Sequence, residues 1–320
     1  MFYSIIIPCY NCEKTISNTL NSLLEQKTKK QFEIICVDDG SIDNTKKEIQ
    51  KIKSKKVGYF YQKNKGPAKA RNIGAKKAKG EIILFIDSDC VAEKNWLEEM
   101  IKPFDDKKVV AVQGAYKTKQ KELTARFSQI EIEERYEKMK KSKSIDWVGS
   151  YSAAYNKKEY FSVGGFDESF PIASGEDPEL SYKLHEKGGR IVFNPRAIVY
   201  HFHPKKLSKY LKIKFFRAFY RPRMYSKHKK KMLKDSYTPQ TLKLQIICFY
   251  LVILALIFSL LAISLVFVAL FFLIIHLLLG AKLFSLSWKK DKAVALASPI
   301  ILFLRSVVFG IGLIWGKING

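Results

Sequence analysis

Ile82-Ile83-Leu84-Phe85-Ile86-Asp87-Ser88-Asp89 decides the fold. Its first five residues are apolar without interruption, so both alternating faces of an extended chain meet apolar surroundings. Such a run reads as a strand buried on both sides, as in a parallel sheet. It stops abruptly in an Asp-x-Asp. Side chains two apart on an extended chain project to the same side, so Asp87 and Asp89 repel unless a cation lies between them. Hard divalent ions, Mg²⁺ or Mn²⁺, take oxygen ligands and often bridge carboxylates to phosphates. Strand ends are also where open α/β sheets hold their ligands. The plain alternative is a solvated turn after a core strand.

Working back towards Met1, the pattern repeats. Tyr3–Ile7 is a first buried strand, broken by Pro8-Cys9-Tyr10-Asn11. Glu13 opens a helix with apolar spacing at Ile16, Leu20, Leu23 and Leu24. Phe32–Val37 is a second strand, ending in Asp38-Asp39-Gly40-Ser41. Asp43-Asn44-Thr45 can cap a helix over Lys46–Lys53. Val57–Tyr61 is a third strand, and Lys65–Asn72 leads into a helix that continues to Lys79. A β-α-β-α-β-α-β series predicts a doubly wound α/β sheet. The strands end one after another in Asp, Gly, Pro or Asn, so their ends predict one shared cleft.

Four segments occur in order: Ile5-Ile6-Ile7-Pro8-Cys9-Tyr10-Asn11-Cys12-Glu13, Val37-Asp38-Asp39-Gly40-Ser41, Gly66-Pro67-Ala68-Lys69-Ala70-Arg71-Asn72-Ile73-Gly74 and Phe85-Ile86-Asp87-Ser88-Asp89. In this order and spacing they resemble the motif series of glycosyltransferase family 2, with its GT-A fold, a doubly wound mixed sheet that binds nucleotide-diphospho-sugars. The resemblance covers about residues 3–203. It implies that Pro8, Tyr10 and Glu13 surround the donor nucleoside, with Tyr10 offering a stacking face. It implies that Asp39 bonds the edge of uracil or another base and that Arg71 reaches the base or the diphosphate. Asp87 would face the ribose, and Asp89 the metal and diphosphate. A core tyrosine, a helix-entry acid and a solvated helix charge are the structural alternatives for Tyr10, Asp39 and Arg71. The five cysteines are odd in number and scattered, so no disulfide framework is implied. Cys9 and Cys12 fall where the motif leaves positions free, which argues against a zinc or redox role.

Beyond the Asp-x-Asp the reading gives a helix over Trp96–Phe104, a strand over Val109–Gln113 and a long charged helix over Leu123–Lys141. A strand or extended cleft segment over Val148–Tyr155 and a turn at Val163–Glu168 follow. Ser174-Gly175-Glu176-Asp177-Pro178-Glu179-Leu180 gives Asp177 two readings. It can cap a helix over Glu179–Lys187, with Pro178 at the first helical position. It can also be the general base that takes the acceptor hydroxyl's proton. The Glu176-Asp177 pair matches the family's base motif, with the Asp as base. Arg190–Phe193 and Ala197–Tyr200 are final strands, followed by His201-Phe202-His203. The resemblance makes a histidine here a candidate to complete the metal or diphosphate site, His201 ahead of His203. The metal candidates are therefore Asp87, Asp89 and His201, for Mn²⁺ or Mg²⁺. The Gln-x-x-Arg-Trp motif of processive synthases is absent, the nearest stretch being Lys214-Phe215-Phe216-Arg217. That implies transfer of a single sugar.

The net charge of +26 raises the question of nucleic acid. Its distribution points to membrane lipids instead. From Lys205 to Lys243 every charged residue but Asp235 is Lys or Arg, directly before a segment, Leu244–Ala281, without Asp, Glu, Lys or Arg. A membrane helix needs about 20 apolar residues, so this segment fits a hairpin of two, turning near Ser259–Ser264. Flanking Lys and Arg mark the cytoplasmic side. A third apolar stretch, Ala293–Ile318, carries Arg305 at its middle and is expected to cross with that charge paired or to lie in the interface. Leu207–Tyr225 alternates basic and aromatic residues and reads as an amphipathic surface helix. No signal peptide is expected before the first strand.

The division is then a GT-A domain over 1–204, a basic interfacial segment over 205–242 and C-terminal transmembrane helices over 243–320. The hairpin spans about 244–281 and the third segment about 293–316. The expected protein is a multi-pass cell-membrane glycosyltransferase with its catalytic domain cytoplasmic. It would use a UDP- or GDP-linked sugar and a lipid-linked or glycan acceptor, with inversion at the anomeric carbon. The alternative from another class is a non-catalytic membrane protein that binds nucleotide or lipid through the same fold.

Overall fold

The structure, a computed structural model, describes residues 1–319 apart from Pro171, Ala173, Ser174 and Lys234. Ser174, at the head of the segment that carries Asp177, therefore lies outside the described residues. The chain forms two units, one of Met1–Lys119 with Lys138–Phe202, the other of Gln120–Glu137 with His203–Gly320. The sequence predicts one boundary at 204, with Gln120–Glu137 in the first domain. The structure instead assigns that stretch to the second unit, because its packing partners lie far along the chain.

In the first unit β1 (Tyr3–Cys9), α1 (Ile16–Leu24), β2 (Phe32–Asp38), α2 (Thr45–Lys51), β3 (Val57–Tyr61), α3 (Pro67–Lys77) and β4 (Ile82–Ile86) follow the expected alternation. Then come β5 (Cys90–Ala92), α4 (Trp96–Ile101) and β6 (Val109–Lys117). After α5 (Leu123–Lys140) the chain adds β7 (Ser152–Asn156), α6 (Lys157–Ser162), α7 (Glu176–Glu186) and β8 (Arg190–His201). The eight strands form one sheet in the order β3-β2-β1-β4-β7-β6-β8-β5. β1, β2, β3 and β4 are parallel, and β7 is inserted antiparallel between β4 and β6. Every residue of β4 is buried, as its unbroken apolar run predicts.

Four local differences from the sequence reading have simple causes. The helix expected over Trp96–Phe104 ends at Ile101 and continues as a tighter 3₁₀ turn, Lys102–Asp105, where Pro103 lacks the N–H an α-helix needs. The two last strands are one, because a register shift opposite Gln113–Ala115 absorbs Pro195. β7 starts at Ser152 rather than Val148. α7 starts at Glu176 with Gly175 as its N-cap, so Asp177 sits inside the first turn and Pro178 is not its first residue.

The second unit holds α5, α8 (Leu207–Phe219), α9 (Arg221–Lys227), α10 (Lys229–Leu233), α11 (Gln240–Phe258), α12 (Leu265–Leu279), α13 (Ala281–Lys290) and α14 (Lys292–Asn319). α11 and α14 are long and apolar enough to cross a membrane, while α12 and α13 pass that test only as a pair, bent by 46°. α11 and α12 are separated by the Ser259–Ser264 stretch expected to turn the hairpin. α14 lies against α8: a Cβ at Gly312 or Gly316 would collide with the carbonyls of Phe215 and Phe219. Small residues four apart allow this close approach.

The core of the second unit joins Phe127 and Ile130 of α5 to Tyr210, Leu283, Val294, Ile301 and Leu302. Beside it, Glu131 is buried and gathers three cations. Lys214 Nζ lies 2.6 Å from its carboxylate, Arg305 Nη1 2.8 Å and Arg135 Nη2 3.1 Å. Tyr210 Oη donates to it at 3.2 Å. Arg305, the charge in the third apolar stretch, is thus paired, and its Nη2 also donates to Gln245 Oε1 at 2.7 Å. Burial works to raise the Glu131 pKa, but Lys214, Arg135 and Arg305 hold it well below the usual carboxylate range.

Candidate donor and catalytic site

A cavity of about 530 Å³ opens at the ends of the parallel strands. Pro8, Tyr10, Asp39, Arg71, Asp87, Asp89 and His201 all line it. They come from sequence positions up to 193 residues apart (201 − 8), and the α/β alternation collects them on one sheet edge. Glu13, Glu176 and Asp177 do not line it.

Each side chain is held in a specific way. Tyr10 is half-exposed, with its ring free of the core. Glu13 braces a loop instead of facing the cavity: its Oε2 accepts from the N–H of Asn44 at 3.0 Å and from its Nδ2 at 3.1 Å. Asp39 is buried. Its carboxylate accepts from the N–H of Lys65 at 2.8 Å, from the N–H of Gly66 at 2.9 Å and from Gln62 Nε2. Gly66 has φ 91°, a conformation glycine supplies without strain, at the N-cap of α3. A carboxylate offers about four acceptor positions, so Asp39 keeps capacity for one more donor at the cavity wall.

The two carboxylates of Asp-x-Asp do not share one environment. β4 ends at Ile86, and Asp87–Asp89 form a turn closed by Cys90 N–H donating to the Asp87 carbonyl at 3.1 Å. The same-side geometry of an extended strand is therefore lost, which corrects the pairing expected from the sequence. Arg71 Nη2 donates to Asp87 Oδ1 at 2.9 Å. Asp89 Oδ2 lies instead 3.4 Å from His201 Nε2. Burial would raise the Asp89 pKa, yet the His201 imidazole keeps it below the ordinary value. His201 is stacked on the Tyr116 ring at 4.5 Å, and Tyr116 on Tyr151 at 3.4 Å between centroids. β8 ends at His201, and His203 belongs to the second unit, where its Nε2 is 2.9 Å from Gln129 Oε1.

Arg71 is the hinge between this cavity and the Glu176-Asp177 pair. It is buried, and while Nη2 holds Asp87, Nη1 donates to Glu176 Oε1 at 3.3 Å. Asp177 does not cap α7: its Oδ2 accepts from the N–H of Ser150 at 3.1 Å. The cap reading of Asp177 thus gives way to a contact with the loop before β7. Its Oδ1 is enclosed and has no hydrogen-bond partner. Burial first, then the Glu176 carboxylate, pushes the Asp177 pKa up to about 7, against the pull of Arg71. A carboxylate with that value and an unused oxygen is suited to accept a proton.

Asn72 carries a role that the sequence reading missed. Its Nδ2 donates to the Phe166 carbonyl at 2.9 Å and to Glu168 Oε1 at 2.9 Å. Its Oδ1 accepts the Phe166 N–H at 3.0 Å. It thereby locks the Val163–Glu168 turn onto α3, next to Arg71. The helix-entry motif that carries Asn72 and the Val163–Glu168 turn are in fact one latch. Ser150 and Tyr116 were also missed, since no local pattern marks a backbone N–H or a stacking ring as functional.

Among the described residues no group of three or more His, Cys, Asp or Glu is arranged to hold a metal ion. Asp89 and His201 are a two-ligand set, an oxygen and an imidazole nitrogen that both line the cavity. Such a set fits a divalent ion whose other ligands come from a diphosphate. Asp87 lines the same cavity, and shares the Arg71 guanidinium with Glu176.

A mixed sheet with its cleft at the parallel strand ends, and with an Asp-x-Asp at the central one, defines a GT-A fold. The glycosyl transferase family 2 profile matches residues 4–164, half of the chain. The chain belongs to glycosyltransferase family 2. Poly-beta-1,6-N-acetyl-D-glucosamine synthase of Staphylococcus aureus is 31% identical over 212 residues, 64% of this chain and 50% of the relative. Poly(ribitol-phosphate) beta-N-acetylglucosaminyltransferase TarS of the same species is 40% identical over 110 residues, 33% of this chain and 19% of the relative. The chain spans half the length or less of these curated relatives. Among solved structures, the mannosyltransferase PcManGT from Pyrobaculum calidifontis, in complex with GDP-Man and Mn²⁺, is similar with a TM-score of 0.62 at 17% identity. That similarity covers 98% of this chain and 87% of the other, so the shared fold extends into the helical second unit.

Proposed function

We propose that the protein is an inverting glycosyltransferase that moves one sugar from a nucleotide-diphospho-sugar to an acceptor hydroxyl. The observation that carries this reading is the enclosed, unpartnered Oδ1 of Asp177 beside Glu176, tied through Arg71 to a wall of the cavity. A module that only binds nucleotide has no use for a carboxylate poised near neutrality.

The nucleoside stacks on Tyr10, and Asp39 receives a hydrogen bond from the base edge. Both sequence relatives are named for N-acetylglucosamine, so UDP-N-acetylglucosamine is the first donor to test. Asp89 and His201 would hold Mn²⁺ or Mg²⁺, which when bound supplies Lewis-acid neutralisation of the diphosphate leaving group. Arg71 holds Asp87 and Glu176 in place and offsets their charge. Asp177 takes the acceptor hydroxyl's proton as the oxygen attacks the anomeric carbon from the face opposite the diphosphate. A single displacement inverts that carbon.

We place the enzyme at the cytoplasmic face of the cell membrane, with α11 and the bent α12–α13 pair crossing as a hairpin. The basic run before α11, and Lys282, Lys289, Lys290 and Lys292 after α12, support that side by the positive-inside rule. An anchored catalyst suits an acceptor that is itself lipid-linked, such as a polyprenyl-phosphate-borne glycan.

The test uses the full chain in membranes with a set of UDP- and GDP-sugars, Mn²⁺ and lipid acceptors. Release of nucleotide coupled to a product of inverted configuration is expected. Asp89→Ala should remove the metal dependence of donor binding in calorimetry. A product of retained configuration, or donor binding by Asp89→Ala with its metal dependence unchanged, would overturn this mechanism.

A further inference from the structure

We propose that the second unit binds a lipid alcohol, a hydrocarbon chain ending in one uncharged hydroxyl. Its site is a cavity of about 420 Å³ at the bend between α12 and α13, beside Ser298, Pro299 and Leu302 of α14. No residue of the donor cavity lines it, so the proposal stands independently of the catalytic reading.

The lining is almost wholly apolar. Among the described residues no Asp, Glu, Lys or Arg lines it, and its two polar side chains are His276 and Ser298, both buried. Each has its proton committed elsewhere. His276 Nδ1 lies 3.1 Å from the Gln245 carbonyl oxygen, which can only accept, so Nδ1 carries the proton of the neutral ring. Nε2 is then an acceptor, and it is enclosed without a hydrogen-bond partner. Ser298 Oγ donates to the Ala295 carbonyl at 2.8 Å. Pro299, inside α14, has no N–H to offer that carbonyl, so the serine hydroxyl serves it instead. The polar side chains of the cavity thus accept and do not donate.

An enclosed acceptor without a partner is costly, and an ionisable side chain within a membrane segment marks a functional contact. His276 also ends a chain of contacts that starts at Glu131. Arg305 joins Glu131 Oε1 to Gln245 Oε1, and the Gln245 carbonyl holds the imidazole. A ligand on Nε2 extends that chain into the cavity.

The acceptor-only lining selects the ligand. An ionised phosphate or carboxylate would meet no Lys or Arg there. An ester would bring carbonyl acceptors to acceptors. A water, whose share of volume is about 30 Å³, would leave most of the cavity unfilled. A terminal hydroxyl supplies the proton that Nε2 lacks, and its chain fills the apolar remainder. The volume is within the usual range of about 300–1,000 Å³ for small-ligand sites, so it takes the hydroxyl end and the first part of the chain. The rest of the chain has a way out over Ile274, Leu277, Leu278 and Phe284, which line the cavity and are exposed.

Native mass spectrometry of the full chain in neutral detergent tests this. Oleyl alcohol and geranylgeraniol represent the straight and the isoprenoid chain, and the tighter binder identifies the source. The methyl ether of each keeps the chain and removes the donor. One buried hydrogen bond contributes roughly tenfold in affinity, so the preferred alcohol should bind about that much more tightly than its ether. His276→Phe keeps an aromatic ring near Phe303, whose centre lies 6.0 Å from that of the imidazole, and removes the acceptor. In this variant alcohol and ether should bind alike. Should the variant fail to fold, the wild-type comparison decides alone. The site is overturned if neither alcohol binds, if the wild type binds alcohol and ether equally, or if His276→Phe retains the preference. Tighter binding of oleic acid or dioleoylglycerol than of either alcohol would overturn it as well.

Discussion

The two units solve one electrostatic problem with opposite signs. In the first, Arg71 is a buried cation in contact with Asp87 and Glu176, with Asp177 next to Glu176. In the second, Glu131 is a buried anion in contact with Arg135, Lys214 and Arg305. Burial raises the Asp177 pKa first, and the excess negative charge left by one cation among three acids adds to it, bringing it to about 7. One acid among three cations leaves excess positive charge, and Glu131 is driven far below its ordinary value. Proximity of buried charge therefore does not by itself make a proton acceptor. The sign of the surplus decides it: an acid excess makes a base, while a cation excess makes a fixed anion.

The sharpest way to break this comparison is at Asp177. Asn keeps the shape and can still accept the Ser150 N–H through its carbonyl oxygen. It cannot take a proton. Loss of a general base costs about 10²–10⁴-fold in rate, so Asp177→Asn should transfer sugar at under about a hundredth of the wild-type rate. Donor affinity should stay as it was. Near-normal turnover in the same assay would return Asp177 to a purely structural role.

The two hubs come next. Arg71→Met leaves the Asp87 and Glu176 carboxylates without their shared cation, and Glu131→Gln leaves three cations without an anion. Breaking a buried pair by removing one partner costs about 3–5 kcal/mol. Chemical denaturation of each variant should show losses of that order. A loss under about 1 kcal/mol at Glu131 would mean that its cluster is open to water in solution.

The pH dependence of stability carries the same contrast at smaller scale. Asp177 has a folded pKa raised above the ordinary aspartate value of 3.8 to about 7. The folded state then binds more proton than the unfolded chain across that window. Its contribution is present at acid pH and is lost as pH rises from about 4 through about 7. Asp177→Asn should flatten this slope and raise Tm relative to wild type above pH 7. Parallel melting curves from pH 4 to 8 would contradict the shift.

Most of the first unit was legible because its signals are local. An unbroken apolar run such as Ile82–Ile86 and a capped helix are read within ten residues, and strand ends bring Pro8, Asp39 and Asp89 to one edge by topology alone. What escaped reading depends on partners far along the chain. The antiparallel insertion of β7 between β4 and β6 is a long-range pairing with no local mark. The split of Asp87 from Asp89 needed Arg71, 16 residues away, and the release of Asp177 from capping needed Ser150, 27 residues away. α5 read as an uninformative charged helix because its apolar spacing is weak. Its purpose lies in Glu131, whose partner Arg305 is 174 residues distant.

The smallest expected effect tests whether the hub, rather than its spokes, holds the second cluster. Lys214→Met removes one of the three cations and replaces it with an unbranched apolar side chain. Glu131 keeps Arg135 and Arg305, so its charge stays compensated. The substitution also relieves the cost of burying the ammonium group and its repulsion by Arg135 and Arg217, which together hold the Lys214 pKa well below its ordinary value. Gains and losses nearly cancel, and stability at pH 7 should change by under about 1 kcal/mol, well short of the loss at Glu131. The pH slope is the finer readout. A lysine with a depressed folded pKa binds less proton when folded than when unfolded. Its contribution is thus present above the ordinary value of 10.5 and is lost as pH falls through the folded pKa. Wild type should gain stability relative to Lys214→Met as pH rises towards 10.5, opposite in sign to the Asp177 slope. If Lys214→Met is instead as damaging as Glu131→Gln, the cluster behaves as an indivisible network. The contrast between one hub with replaceable partners and one base with none then fails.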